Sequence, residues 1–225
     1  MKAKLKDLVD LVLTLLLVAL GFFCLFSLCF KISYSAYGVV GYSMYPTLNK
    51  NAENSDEIGD IVYVNNFKDF DVGDIVVIKT NWPVRGDIIK RIVAGPNDIL
   101  TIKEENDNYV LYVNNVEVEK QKITYVSQHG LTGGTYEYFK SFNSLLANPQ
   151  MADNVVIDKS GDLALKCGKN QYFLMGDNWG ETTDSVTHGF VLKNQVIGKV
   201  ELVVKQNESR FNAVIKHIAK IIFKY

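Results

Sequence analysis

No charged residue occurs between Leu11 and Phe30, and that stretch constrains the chain more than any other. At about 1.5 Å per helical residue it is long enough to cross a hydrocarbon core of roughly 30 Å, which predicts a transmembrane helix. The competing reading is a cleavable signal peptide, with Ser33-Tyr34-Ser35 as a small-x-small site. Signal peptides carry an apolar core of about 7 to 15 residues, and this run is longer, which favours a retained anchor. Lys2, Lys4 and Lys6 precede the run, whereas Lys31 alone follows it at once. By the positive-inside rule residues 1–10 stay in the cytoplasm, residues 11–30 span the membrane, and everything after Phe30 lies outside.

The remainder of a 225-residue chain can hold one domain of moderate size plus an insertion. A net charge of −1 gives no nucleic-acid signal. Cys24 and Cys29 fall inside the apolar run, which leaves Cys167 alone outside, without an intramolecular partner and best read as a small filler residue. His129, His188 and His217 are scattered without metal-ligand spacing, so neither metal nor other cofactor is expected.

Three short units recur: Gly59-Asp60-Ile61-Val62, Gly73-Asp74-Ile75-Val76 and Gly86-Asp87-Ile88-Ile89. Turn residues followed by β-branched runs at such short spacing indicate antiparallel strands, because parallel crossovers need longer connections. Further strands are expected at Ile99–Lys103, Tyr109–Val113, Val116–Val118, Tyr172–Met175 and Val196–Val204, with Asn114-Asn115 as a hairpin turn. The fold class is therefore mainly β, built of coiled antiparallel sheets behind one amino-terminal helix.

Chemistry concentrates in three places. In Gly41-Tyr42-Ser43-Met44-Tyr45-Pro46-Thr47 a serine sits on backbone constrained by a glycine and a proline, able to be held toward a substrate. Its ordinary reading is a turn former. In Gly86-Asp87-Ile88-Ile89-Lys90-Arg91-Ile92-Val93 strand alternation puts Lys90 on the same face as Ile88 and Ile92. A lysine is usually solvated, but on an apolar face desolvation lowers its pKa and makes a neutral amine available as a base. The third place, Gly176-Asp177-Asn178 through Asp184-Ser185, reads either as a polar loop or as one that orients the amine.

Taken in order, the three stretches resemble the nucleophile, general-base and third boxes of type I signal peptidases, membrane-bound Ser/Lys proteases that remove signal peptides from exported proteins. The resemblance implies Ser43 as nucleophile, Lys90 as general base, Thr182 on the lysine amine, and Asp177 with Arg91 as a supporting ion pair. Many members have a serine two positions before the nucleophile; here Gly41 stands there, as in the smaller Gram-positive enzymes, so the oxyanion hole would rest on backbone N–H groups, chiefly that of Ser43. Gly95 and Asn97 depart from the family's turn in the base box. Trp179 and Val186 occupy places where arginines are common, so Asp184 lacks the basic neighbour it would pair with. The implied partners are signal peptides with small residues at the first and third positions before the cut, together with the lipid bilayer and possible secretion or surface-assembly partners. Two other readings compete: a catalytically weak relative acting as scaffold or chaperone in surface-fibre assembly, and a Ser/Lys self-cleaving repressor, the latter disfavoured by the apolar span.

The catalytic domain is assigned to residues 31–103 and 170–209, and residues 104–169 to a variable inserted subdomain that the family places there. Gly130–Gly134 and Ser141–Asn154 read as polar loops, and Tyr136, Tyr138, Phe139 and Phe142 as a small core or a partner surface. Residues 210–225 form an amphipathic segment, with Phe211, Val214, Ile215, Ile218, Ile221 and Ile222 at helical spacing and Lys216, Lys220 and Lys224 between them. It suits the protein's own sheet or the lipid surface. Trp82 is read as packing or as an interfacial anchor. If the apolar run is a retained anchor, protease added outside wall-stripped cells should digest the bulk of the chain; a mature protein beginning near Ala36 would mean that the run is removed.

Overall fold

The computed structural model describes residues 2–80, 82, 86–105, 108–118 and 135–223. The chain divides into two units, residues 1–35 and 36–225. The first is almost wholly helix α1 (Lys2–Ser33). Its portion Lys6–Ser33 is long and apolar enough to cross a membrane. The helix outruns the uncharged stretch at both ends, through Asp7 and Asp10 on one side and Lys31 on the other, because backbone hydrogen bonding does not stop where hydropathy does.

The second unit contains two antiparallel sheets. The larger is built from β1 (Tyr34–Gly38), β2 (Ile61–Asn65), β3 (Ile75–Thr80), β4 (Gly86–Ala94), β10 (Gln171–Met175), β11 (Val191–Leu192) and β12 (Val196–Val204). Their spatial order is β1-β2-β12-β3-β4-β10-β11. The Gly-Asp units thus introduce β2, β3 and β4, as their turn chemistry predicts. Yet β2 and β3 are not neighbours: β12, from near the end of the chain, lies between them and is antiparallel to both. The smaller sheet is ordered β7-β6-β5-β9-β8, from β5 (Ile99–Glu105), β6 (Asn108–Val113), β7 (Val116–Glu117), β8 (Val155–Ile157) and β9 (Leu163–Lys166). Asn114 and Asn115 both adopt positive φ, 53° and 66°, as a tight hairpin between β6 and β7 requires.

The inserted region corrects one expectation. Residues Ser141–Leu146, read as loop, belong to helix α2 (Thr135–Leu146), and a 3-10 turn follows over Pro149–Asn154. The serines and asparagines face away from a stripe formed by Phe139, Phe142 and Leu145, which are 0, 0 and 3% exposed. That stripe joins Leu100 and Leu111 of the small sheet to Phe173 and Met175 of β10, so the inserted stretch shares its core with the third motif. Cys167 is buried in the same cluster. Gly130–Gly134 lie outside the described residues.

Helix α3 (Ser185–His188) is a single turn, and α4 (Arg210–Phe223) closes the chain. Ala213 and Val214 of α4 pack against Leu202 and Val204 of β12, while Phe211, Ile215 and Ile218 remain exposed. Trp82 stacks on His188, with ring centroids 5.2 Å apart. Because Phe139 is fully buried between the two sheets, Phe139→Ala should cost about 3–5 kcal/mol, lowering the thermal unfolding midpoint by roughly 10 °C.

Candidate active site

The loop that carries Ser43 is nailed down from both sides. Met44 and Leu48 pack into a core of Val39, Val62, Val64 and Val77, which anchors the loop next to Ser43. Gly41 has φ +84°, a left-handed conformation in which a side chain is strained. Below the loop Asn49 Nδ2 donates to the carbonyls of Val39 (3.1 Å) and Gly41 (2.8 Å), while its Oδ1 accepts from Asp60 N–H at 2.8 Å. Lys205 Nζ in turn donates to Asp60 Oδ2 at 2.9 Å and to the Thr47 carbonyl at 2.8 Å. The repeat that seemed only to mark strand starts therefore also supplies, at Asp60, a buried brace for the serine loop.

Lys90 reaches the serine from β4. It pairs with Val76 of β3 and shares its strand face with Ile92, and it is 4% exposed. On the other side β10 ends at Met175, opposite Arg91, so the chain leaves the sheet at Gly176, beside the lysine. Lys90 Nζ donates to Ser43 Oγ at 2.7 Å and to the Ile89 carbonyl at 3.1 Å. Burial pulls the pKa of Lys90 down to about 8, against the opposing charges of Asp184 and Asp177.

The third stretch closes over this pair. Asn178 N–H donates to the Ser43 carbonyl at 3.0 Å and Asn178 Nδ2 to the Tyr42 carbonyl at 3.1 Å. A Cβ at Gly176 would collide with the Thr182 side chain and the Ser43 carbonyl, so only glycine permits this approach. Arg91 grips Asp177 in a bidentate pair, Nε to Oδ1 at 2.8 Å and Nη2 to Oδ2 at 2.6 Å, and Thr47 Oγ1 donates to the same carboxylate at 2.5 Å. One carboxylate thus ties together the serine loop, the lysine strand and the third motif.

Thr182 departs from the expected placement. Its hydroxyl donates to Asp184 Oδ2 at 3.0 Å, whereas the Lys90 amine donates to Ser43 Oγ and the Ile89 carbonyl. Asp184 also collects other neutral donors: Gly176 N–H at 2.8 Å, Val186 N–H at 3.0 Å and Tyr138 Oη–H at 2.8 Å. Burial pushes its pKa up, and those hydrogen bonds with the Lys90 charge pull it back. Trp179 and Val186 are buried in the adjoining apolar cluster. Ser185 is also buried and accepts from Leu174 N–H at 2.9 Å. The roles of Asn49, Asp60, Thr47, Asn178 and Tyr138 carried no signal in their own neighbourhoods; each depends on a partner distant in sequence.

Beside Ser43 and Lys90 lies a groove of about 260 Å³, bounded by residues 38–41 with Met44 on one side and residues 87–89 on the other. The Ser43 N–H meets no acceptor among the described residues. The antiparallel sheets thus hold a hydroxyl against a buried amine at the edge of a groove. A family model described as signal peptidase, peptidase S26, matches residues 6–205. Signal peptidase I S of Bacillus subtilis (strain 168) is 30% identical over 174 residues, 76% of each chain. Signal peptidase I of Bacillus caldolyticus is 28% identical over 174 residues, 75% of this chain and 78% of that one. Signal peptidase IB of Staphylococcus aureus (strain N315) is 28% identical over 202 residues, 87% and 88% of the two chains. The chain belongs to the signal peptidase family, peptidase S26.

Removing Arg91 tests the joint at Asp177. Arg91→Ala would leave a carboxylate with 4% side-chain exposure without its cation, a loss of about 3 kcal/mol or more that should appear as a fall of roughly 10 °C in the unfolding midpoint.

Proposed function

We propose that this chain is a membrane-anchored endopeptidase that cleaves signal peptides from preproteins on the outer side of the membrane, by acyl transfer to Ser43 with Lys90 as general base. The observation that carries the reading is the 2.7 Å contact between Ser43 Oγ and a lysine amine held out of water. A preprotein segment lies extended in the groove beside residues 38–41, its scissile carbonyl carbon against Ser43 Oγ. The neutral Lys90 amine takes the hydroxyl proton as Oγ attacks. The oxyanion that forms is met by the Ser43 N–H, since Gly41 has no side chain to offer. The resulting ammonium returns the proton to the leaving amine, and a water molecule activated by the same lysine then releases the acyl group. Asp177 with Arg91, and Asp184 with Thr182, keep the base aimed. By the positive-inside rule, the lysines ahead of the uncharged stretch Leu11–Phe30 put the amino terminus in the cytoplasm and the groove outside.

The pH dependence follows from the lysine. With a pKa of about 8, only about a tenth of the amine is neutral at pH 7, so cleavage should rise almost tenfold per unit below about pH 7, about fivefold from pH 7 to 8, and level off above that. Ser43→Ala and Lys90→Arg should both abolish cleavage of an exported preprotein, since arginine keeps the charge but cannot give up its proton. The folded protein binds the Lys90 proton less tightly than the unfolded chain, so the cost of charging the amine is fully present below about pH 8 and fades toward the ordinary lysine range. Lys90→Met, inactive, should therefore unfold at a higher temperature than wild type at pH 7, with the gap narrowing above pH 8. Substantial turnover by Lys90→Arg would return Lys90 to a structural role.

A further inference from the structure

Among the described residues, the insertion between the second and third motifs reaches the site through Tyr138. Helix α2 presents Tyr138 beside Phe139, and the ring of Tyr138 stacks on Trp179 at a centroid distance of 6.3 Å with an interplanar angle of 19°. Phe139 meets the same indole edge-on at 5.1 Å. The indole thus serves as a shelf that fixes the phenol, whose hydroxyl donates to Asp184 Oδ2 at 2.8 Å. The same oxygen accepts from Gly176 N–H and from the Thr182 hydroxyl. Oδ2 is thereby the meeting point of the inserted helix, the turn that leaves β10 and the threonine beside the lysine.

Resting on the Ser43–Lys90 reading, we infer that Tyr138 is a positioning residue of the catalytic site, supplied by the inserted subdomain, which holds the Asp184 carboxylate and disperses its charge. Two neighbours complete the arrangement. Trp179 supplies the shelf on which the phenol lies, and Val186 fills apolar space while its N–H caps Asp184 Oδ1. The phenol donates a hydrogen bond that disperses the carboxylate charge and so lessens its hold on the Lys90 proton, while carrying no charge of its own.

The ionisable groups that act on this pair are few. Lys90 faces Asp184 from β4 and Asp177 from the turn after β10, Asp177 is matched by Arg91, and Tyr138 approaches from α2. Of the charges acting on Lys90, that of Asp184 is the stronger influence favouring the ammonium. When the phenol hydroxyl is removed and the ring is kept, the carboxylate charge is less dispersed and weighs more on the amine. The Thr182 hydroxyl also loses a fixed acceptor.

The test is Tyr138→Phe in the full chain in detergent micelles, cleaving an exported preprotein with an intact signal sequence, with rates followed against pH. The expected result is a fall in kcat at pH 7 of about tenfold with KM unchanged, and a rising limb displaced to higher pH, so that part of the loss is recovered under alkaline conditions. Phe142→Leu serves as the packing control: it loosens α2 without touching Asp184, so it should lower the unfolding midpoint and leave the pH limb in place. A Tyr138→Phe profile that superimposes on wild type, one that falls equally at every pH, or a limb displaced as far by Phe142→Leu would overturn the inference. Ser43→Ala is run alongside. Cleavage that survives in Ser43→Ala would sink the Ser43–Lys90 reading itself, whereas an inactive Ser43→Ala beside an unaltered Tyr138→Phe profile would remove only the role of the tyrosine.

Discussion

Exclusion of water from one amine is the constraint that organises the catalytic half of this molecule. Lys90 is flanked by Val76 on the neighbouring strand and Ile92 on its own face, and the turn after β10 closes the remaining side. Desolvation alone would favour the neutral form, but two buried carboxylates stand close enough to oppose it. The fold deals with each before it reaches the lysine. Asp177 is matched by Arg91 and a threonine hydroxyl, and Asp184 is wrapped by four neutral donors. Both carboxylates keep their structural duty as hydrogen-bond hubs while their pull on the amine is moderated.

The same hubs explain why the serine loop and the third motif behave as one body. Asn178 holds two successive carbonyls of the serine loop, and Gly176 has no room for a side chain against that loop. Asn49 and Lys205 fix the loop from below through Asp60. The serine hydroxyl is therefore positioned by backbone and buried side chains on two sides, so little ordering is left to be done when a substrate enters.

Much of this was legible in the sequence, for reasons that differ by element. The apolar helix follows from hydropathy, and β2, β3, β4 and β12 follow from turn residues and β-branched runs. The alternation around Lys90 foretold an amine on an apolar face, because a period of two is a local property. Helix α2 escaped because serine and asparagine dominate its exposed side, although Phe139, Phe142 and Leu145 already had helical spacing. That the Thr182 hydroxyl meets Asp184 and not the Lys90 amine depends on how the turn after β10 folds back, which no local pattern reports. Tyr138 and Asp184 stand 46 residues apart, and only the packing of α2 on Trp179 joins them. The place of β12 was equally hidden: its strand character was plain, but nothing in it names β2 and β3 as its neighbours.

That place of β12 has a consequence for how the protein comes into being. The strands that carry the serine loop's core and the lysine are made early, yet the strand that sits between β2 and β3 is made more than a hundred residues later. Pairings of such long sequence separation are slow to form, because the loop must close before any contact rewards it. Lys205, which braces the serine loop through Asp60, arrives later still, immediately after β12. A growing chain therefore carries the hydroxyl and the amine long before it has the means to hold them together. Whatever chemistry the pair performs is deferred until β12 and Lys205 have been made.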